Sequence, residues 1–224
     1  QTCFYITWLI QNKIIGFINC PVSKEILFPK RNHGVTEFLS KKTGSLGDEV
    51  MLLYNKELSV SPITTHIPLN QVSSKLKLPN IVKRVKVINA FYKKILKKKP
   101  HFGMLGLNPH NFSNSINSEE KQIISKAIKK ISKINIKVSG PISPDSSFLV
   151  FKKYKFDILI GMYHDQVLSP FKALYNFNAI NITLGLPFVR VSPDHGVASN
   201  IMGKNLANPT SLIESIKFFN FINK

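Results

Sequence analysis

Short, wholly apolar runs alternate along this chain with longer stretches in which apolar residues recur every three to four positions, a pattern that predicts strands and helices in turn. Ile14–Asn19 reads as a buried strand ending at Pro21, and strand-like runs recur at Leu58–Thr64, His101–Leu107 and Phe156–Met162. Between them, Pro79–Lys99 places Ile81, Val85, Ile88, Tyr92 and Ile95 on one helical face with lysines opposite, and Pro100 is expected to stop it. Asn117–Lys133 is expected to open on an Asn117 cap with Glu120 three residues on, to stack Ile124, Ala127, Ile128 and Ile131, and to end lysine-rich. Strands alternating with helices imply a layered α/β fold with parallel pairing. Ala179–Pro209 breaks the pattern. Its glycines (185, 196, 203) and prolines (187, 193) mark turns, and the segment reads as an irregular binding loop or, alternatively, a connection packed on the core.

Composition narrows the class. With 224 residues, 43% hydrophobic and 19% charged, the chain has enough apolar surface for one large or two small domains, which excludes disorder, collagen and a disulfide scaffold. The net charge of +19 comes from 28 lysines and only three arginines, Arg31, Arg84 and Arg190. The lysines fall on the outer faces of the expected helices, and arginine, the bidentate reader of bases and phosphates, is scarce. The balance favours a basic compositional bias over a nucleic-acid partner, and it suits an acidic small molecule. Cys3 and Cys20 lack metal-ligand spacing and read as two ordinary buried thiols of a reducing, cytoplasmic setting. No apolar run reaches the roughly 18 residues of a membrane span, and Cys3–Ile10 has no basic residues ahead of it, so neither a membrane nor a targeting role is expected.

Three of six histidines occupy equivalent places. His66 in T-T-H-I-P-L, His110 in L-N-P-H and His164 in G-M-Y-H-D-Q each follow an expected strand. The carboxyl ends of parallel strands face one crevice, so the three imidazoles are expected to converge there as ligands of a catalytic divalent metal, the alternative being three separately satisfied imidazoles. His101 reads as a surface residue; His33 and His195 lie in turn-rich surroundings. Asp165, Lys172, Asn181 and Arg190 suit an anionic, oxygen-rich substrate, with Asp165 as proton handler or as the group orienting His164. Arg190, in an otherwise apolar stretch, needs an anion, whether a ligand or a structural carboxylate such as Asp194.

These stretches resemble the 4-hydroxythreonine-4-phosphate dehydrogenase family of pyridoxal phosphate biosynthesis. N-C-P-V-S-K (19–24), G-V-T-E-F (34–38), T-T-H-I-P-L (64–69), G-L-N-P-H (106–110), S-E-E (118–120), G-P-I-S-P-D-S-S-F (140–148), M-Y-H-D-Q (162–166), N-I-T-L-G-L-P-F-V-R (181–190) and D-H-G (194–196) run in family order. The resemblance implies a layered α/β/α fold similar to the isocitrate and isopropylmalate dehydrogenases. It further implies NAD-dependent oxidation of 4-phosphooxy-threonine, with NADP as the alternative cofactor, and decarboxylation to 3-amino-2-oxopropyl phosphate. His66, His110 and His164 match the family's divalent-metal ligands (zinc, magnesium or cobalt), shared in a homodimer whose active site lies at the interface. Thr36, Lys172, Asn181 and Arg190 match substrate-contacting positions, and Asp194, His195 and Gly196 the loop that holds adenosine; Asp165 and Lys172 are the expected catalytic groups. Residues 25–185 are expected to form a metal and substrate domain, and 1–24 with 186–224 the cofactor side.

The chain also departs from the family. Val35 stands where the family has a substrate-contacting histidine, and the family's opening strand has no counterpart after Gln1, so an N-terminally truncated member is expected. The alternatives are a paralogue acting on a phosphorylated sugar acid such as threonate or erythronate phosphate, an inactive fragment, or a basic polyanion-binding module.

Overall fold

The computed structural model describes residues 16–23, 35–112 and 116–223; Cys3, Ile14, Lys24, Arg31 and His33 lie outside them, as does the stretch 113–115 after His110. The chain divides into two compact units, one of residues 1–53 with 177–224 and one of 54–176. The sequence reading placed those limits at 24/25 and 185/186.

The unit 54–176 is built on four parallel strands, β3 (Ser59–Pro62), β4 (Phe102–Leu105), β5 (Val138–Ile142) and β6 (Ile158–Gly161), in the order β3-β6-β4-β5. All of β3, β4 and β6 is buried, as expected of strands covered on both faces. Parallel neighbours need crossovers, which helices supply. Helix α2 (Leu78–Lys94) joins β3 to β4, α3 (Ser125–Ser132) leads to β5, α4 (Pro144–Tyr154) to β6, and α5 (His164–Tyr175) follows β6. The path moves one way along the sheet for α2 and α3 and returns for α4, so right-handed crossovers place the first two on one face and α4 on the other. In agreement, α2 packs on α3, and α4 packs on α5.

The second unit holds β1 (Gly16–Ile18), α1 (Val35–Lys42), β2 (Val50–Tyr54), β7 (Ile180–Leu184), β8 (Val189–Pro193) and α6 (Thr210–Ile222), its strands in the order β1-β8-β7-β2. β1 runs parallel to β8, and β7 and β8 form an antiparallel hairpin. Leu39 and Phe188 form a small core with Phe17, Val35, Phe38 and Leu186 packed against it. The layered α/β architecture is the expected one. No helix among the described residues is long and apolar enough to cross a membrane.

Four local expectations need correction. Residues 179–209 are not one irregular loop. Ile180, Ile182 and Leu184 alternate with polar residues as a strand requires, and the Gly185 turn (φ +86°) is closed against Asp48 O, only 2.1 Å from where a Cβ would stand. The helix from residue 78 ends at Lys94, before Pro100, because Lys98 N turns back to Tyr92 O (3.1 Å) and Lys98 Nζ pairs with Asp157. Ser118, buried, stands at the start of the next helix and meets Lys121 N through its hydroxyl, while Glu120 turns away from the cap. His101 is half-buried; its ring meets Phe156 edge-on at 4.8 Å, its Nε2 reaches Ser139 Oγ at 2.9 Å, and burial with Lys137 lowers its pKa.

The inner strand β6 should be the most sensitive part of its unit. Ile160→Ala should cost about 2–5 kcal/mol of unfolding free energy in a urea titration. Gly161→Ala, whose methyl would stand 2.6 Å from Val167 Cγ1, should cost about 1–3 kcal/mol by overpacking.

Candidate functional site

Because β3, β6 and β4 are neighbours, the residues that follow them emerge along one edge of the sheet. Backbone bonds carry β3 further along β6, Ile63 N to Gly161 O (2.8 Å) and Thr64 N to Met162 O (3.1 Å), so His66 and His164 arrive side by side with ring centroids 5.7 Å apart. His164 is the first residue of α5. Its Nδ1 faces Asp165 Oδ1 at 3.0 Å, which fixes the ring and directs Nε2 to other partners. Gln166 braces the same corner, accepting from Met162 N (2.6 Å) and donating to Gly106 O at the end of β4 (2.8 Å).

His110 follows β4 but turns toward β5. Its side chain is 85% exposed, and Nδ1 lies 3.9 Å from Asp145 Oδ2 at the start of α4. Asp145 also accepts from Ser143 Oγ at 2.6 Å, and that bond, helped by His110, lowers its pKa. Among the described residues no group of three or more His, Cys, Asp or Glu side chains is arranged to hold a metal ion. Two of the three histidines expected to converge are therefore together in one chain, and the third stands apart on the loop after β4. The donor chemistry of the pair, two imidazoles with one oriented by a carboxylate, fits a divalent cation. Lys172 lies two turns further along α5, about 12 Å of helix rise from His164, and is exposed.

A second cluster lies in the other unit. Arg190 on β8 is only 7% exposed, and every hydrogen bond shown for it ends on a neutral oxygen. Nε donates to Asn19 Oδ1 (2.7 Å) and Nη2 to the same oxygen, while Nη1 donates to Thr36 Oγ1 (3.1 Å) and Thr183 Oγ1 (2.8 Å). Burial pushes the guanidinium down to about 10 while Glu37 raises it, so the group is charged at neutral pH. A buried guanidinium whose hydrogen bonds shown all end on neutral oxygens has the chemistry to receive an anion. Thr183 pairs directly with Arg190 across the hairpin and Asn181 with Ser192, which puts Asn181 on the Arg190 face. Thr36 and Arg190 are thus brought together as expected. Asp194 N bonds to Ser211 Oγ (2.7 Å), and His195 Nδ1 faces Gly196 O (2.9 Å) on the exposed stretch after β8.

Several residues in or beside these clusters carry no site role in the sequence reading: Asn19, Glu120 (expected only at a helix cap), Asp145, Thr183 and Gln166. All five fall inside the motif stretches, so their presence was visible, but nothing in the sequence marked them as partners of Arg190 or of the strand-end loops.

The sequence profile of "Pyridoxal phosphate biosynthetic protein PdxA" matches residues 6–219. A 4-hydroxythreonine-4-phosphate dehydrogenase of Sulfurihydrogenibium sp. is 42% identical over 215 residues, 93% of this chain and 65% of that protein. The chain thus spans just under two thirds of the length of that curated relative. The crystal structure of 4-hydroxythreonine-4-phosphate dehydrogenase from Klebsiella pneumoniae superimposes with a TM-score of 0.85 at 32% identity, over 99% of this chain and 69% of that one. An isocitrate dehydrogenase from Methylococcus capsulatus, 9% identical with a TM-score of 0.55 over 97% of this chain and 70% of its own, shares the fold. By the extent and order of these matches, the chain belongs to the PdxA family.

Proposed function

We propose that this protein is a 4-hydroxythreonine-4-phosphate dehydrogenase, which oxidises the secondary alcohol of 4-phosphooxy-threonine and releases CO₂ to give 3-amino-2-oxopropyl phosphate. The observation that carries the reading is the His66–His164 pair at the ends of adjacent parallel strands, with Asp165 behind it. His66 and His164 would hold a divalent cation, with His110 the third ligand and a homodimer the assembly that shares them. When bound, the cation acidifies the substrate alcohol and the nicotinamide takes its hydride.

The chain's own residues do the rest. Asp165 keeps the His164 imidazole in the tautomer that leaves Nε2 unprotonated, and it is the carboxylate assigned to take up the alcohol proton. Arg190, with Thr36 and Asn181 beside it, supplies fixed positive charge for a phosphate or carboxylate, binding energy placed away from the reacting carbon. Lys172 is the second cation assigned to substrate. Asp194, His195 and Gly196 form the loop assigned to the cofactor's adenosine. Cys20 is exposed and not buried as expected, and a free thiol there accords with a reducing, cytoplasmic setting.

One observation favours a second reading. Val35, at the position the family fills with histidine, packs against the Leu39–Phe188 core and presents no polar group. A phosphorylated sugar acid, lacking the amine of 4-phosphooxy-threonine, would then be the substrate. Initial rates with 4-phosphooxy-threonine should exceed those with erythronate 4-phosphate; the reverse order selects the second reading.

His66→Ala and His164→Ala should each lower zinc affinity by about tenfold or more in calorimetric titrations and abolish turnover; wild-type affinity in both would refute the metal assignment. Arg190→Ala should raise KM for the phosphorylated substrate by about 10- to 100-fold, from the roughly 1.5–3 kcal/mol of hydrogen bonds to a charged group. Arg190→Lys should not restore it, because an ammonium cannot span Asn19, Thr36 and Thr183 as the planar fork does.

A further inference from the structure

The loop that carries His110 is held in an unfavourable backbone. His110 (φ +49°), Asn111 (φ +61°) and Phe112 (φ +38°) are three successive non-glycine residues in the left-handed region, a conformation that L-residues reach as single positions and that persists only where surroundings impose it. Glu120, 2% exposed, points its carboxylate back at the loop, where Oε1 accepts from Leu107 N and Asn108 N, both at 2.8 Å, and Oε2 accepts from Asn108 Nδ2 at 3.1 Å. Glu120 opens a π-turn, Glu120–Ile124, the irregularity that precedes α3 and marks functional sites more often than plain helix. Asn108 is gripped a second time by Glu119 Oε2 (2.9 Å), whose other oxygen is bonded by Ser73; that bond chiefly lowers the Glu119 pKa. Beyond the turn, Asn111 Nδ2 donates to Pro141 O (3.0 Å), and Gly106 has no side chain because one would strike Asn111 Oδ1 at 2.1 Å. A carboxylate withdrawn from water would be expected to face a cation; this one instead spends its acceptors on backbone N–H groups two and three residues before His110.

We propose that Glu120 is a positioning residue, whose buried carboxylate clamps Leu107 and Asn108 and thereby holds the left-handed turn that presents the exposed His110 imidazole to a divalent cation. The inference rests on the reading of His110 as a ligand. It adds that the presentation is imposed from α3 and is not intrinsic to the loop.

A cobalt(II) titration of the intact protein, followed through its visible absorption, tests both parts because the band reports the imidazoles bound. Glu120→Ala should weaken cobalt binding about tenfold or more and shift the band as His110→Ala does, whereas Glu120→Gln, which keeps an oxygen for the two backbone N–H groups, should recover most of the affinity. In a His110→Ala background, Glu120→Ala should have no further effect on affinity, since coupled residues are not additive. Should Glu120→Ala not fold by circular dichroism, Glu120→Asp, one methylene too short to reach the loop, replaces it with the same expectation. Equal weakening with and without His110 would show a purely structural role and overturn the proposal, as would wild-type affinity in Glu120→Ala or Glu120→Asp while His110→Ala is impaired. Wild-type binding by His110→Ala itself would instead refute the ligand assignment on which the proposal stands.

Discussion

Parallel pairing is the constraint from which the arrangement of unit 54–176 follows. Four strands that run the same way must be joined by crossovers, and their carboxyl ends must all leave from one edge. The order β3-β6-β4-β5 then decides who meets whom: His66 and His164, from adjacent strands, become neighbours, and His110, one strand further on, does not join them within the described chain. The chemistry of that edge is a consequence of strand order before it is a consequence of any individual side chain. Gln166, which bridges the ends of β6 and β4, shows how the edge is kept in register once topology has formed it.

Among the described residues two charged side chains are buried, Arg190 and Glu120, and they are satisfied differently. Arg190 is surrounded by side-chain oxygens of Asn19, Thr36 and Thr183, which compensate part of its charge and leave a net field for an anion. Glu120 is satisfied mainly by backbone N–H groups, partners that cannot move without moving the loop. The first pattern suits the proposed receptor and the second the proposed clamp. Both avoid the direct Arg–carboxylate pair, in which each charge would cancel the other and neither would do more than hold structure.

Much of this was legible from the residues alone. Leu58–Thr64, His101–Leu107 and Phe156–Met162 were readable as strands because fully buried parallel strands are continuous apolar runs, and each contains the observed element. The β7–β8 hairpin is hidden in the sequence because its glycine and prolines signal the turn more strongly than the short alternation of Ile180, Ile182 and Leu184 signals a strand. Of the candidate site, His66, His164 and Arg190 could be named because their types announce their chemistry, and Thr36 only through the family resemblance. Their partners could not. Asn19 lies 171 positions from Arg190, and no local pattern links them; likewise the cap expected of Glu120 was a local solution displaced by a stronger tertiary one, in which its carboxylate reaches 12 and 13 positions back.

The β7–β8 hairpin has a consequence for how this chain tolerates change in length. Arg190 faces its oxygen cage only because Thr183 lies opposite it, and along a strand every side chain reverses its face with a shift of one position. A single-codon insertion or deletion between Gly185 and Phe188 would exchange the guanidinium for Val189 or Val191, inverting the polarity of the cage without altering one residue type. The stretch from residue 194 to 209, exposed and outside the ladder, carries no such frame. Length variation among descendants of this sequence should therefore accumulate after the hairpin and be purged within it.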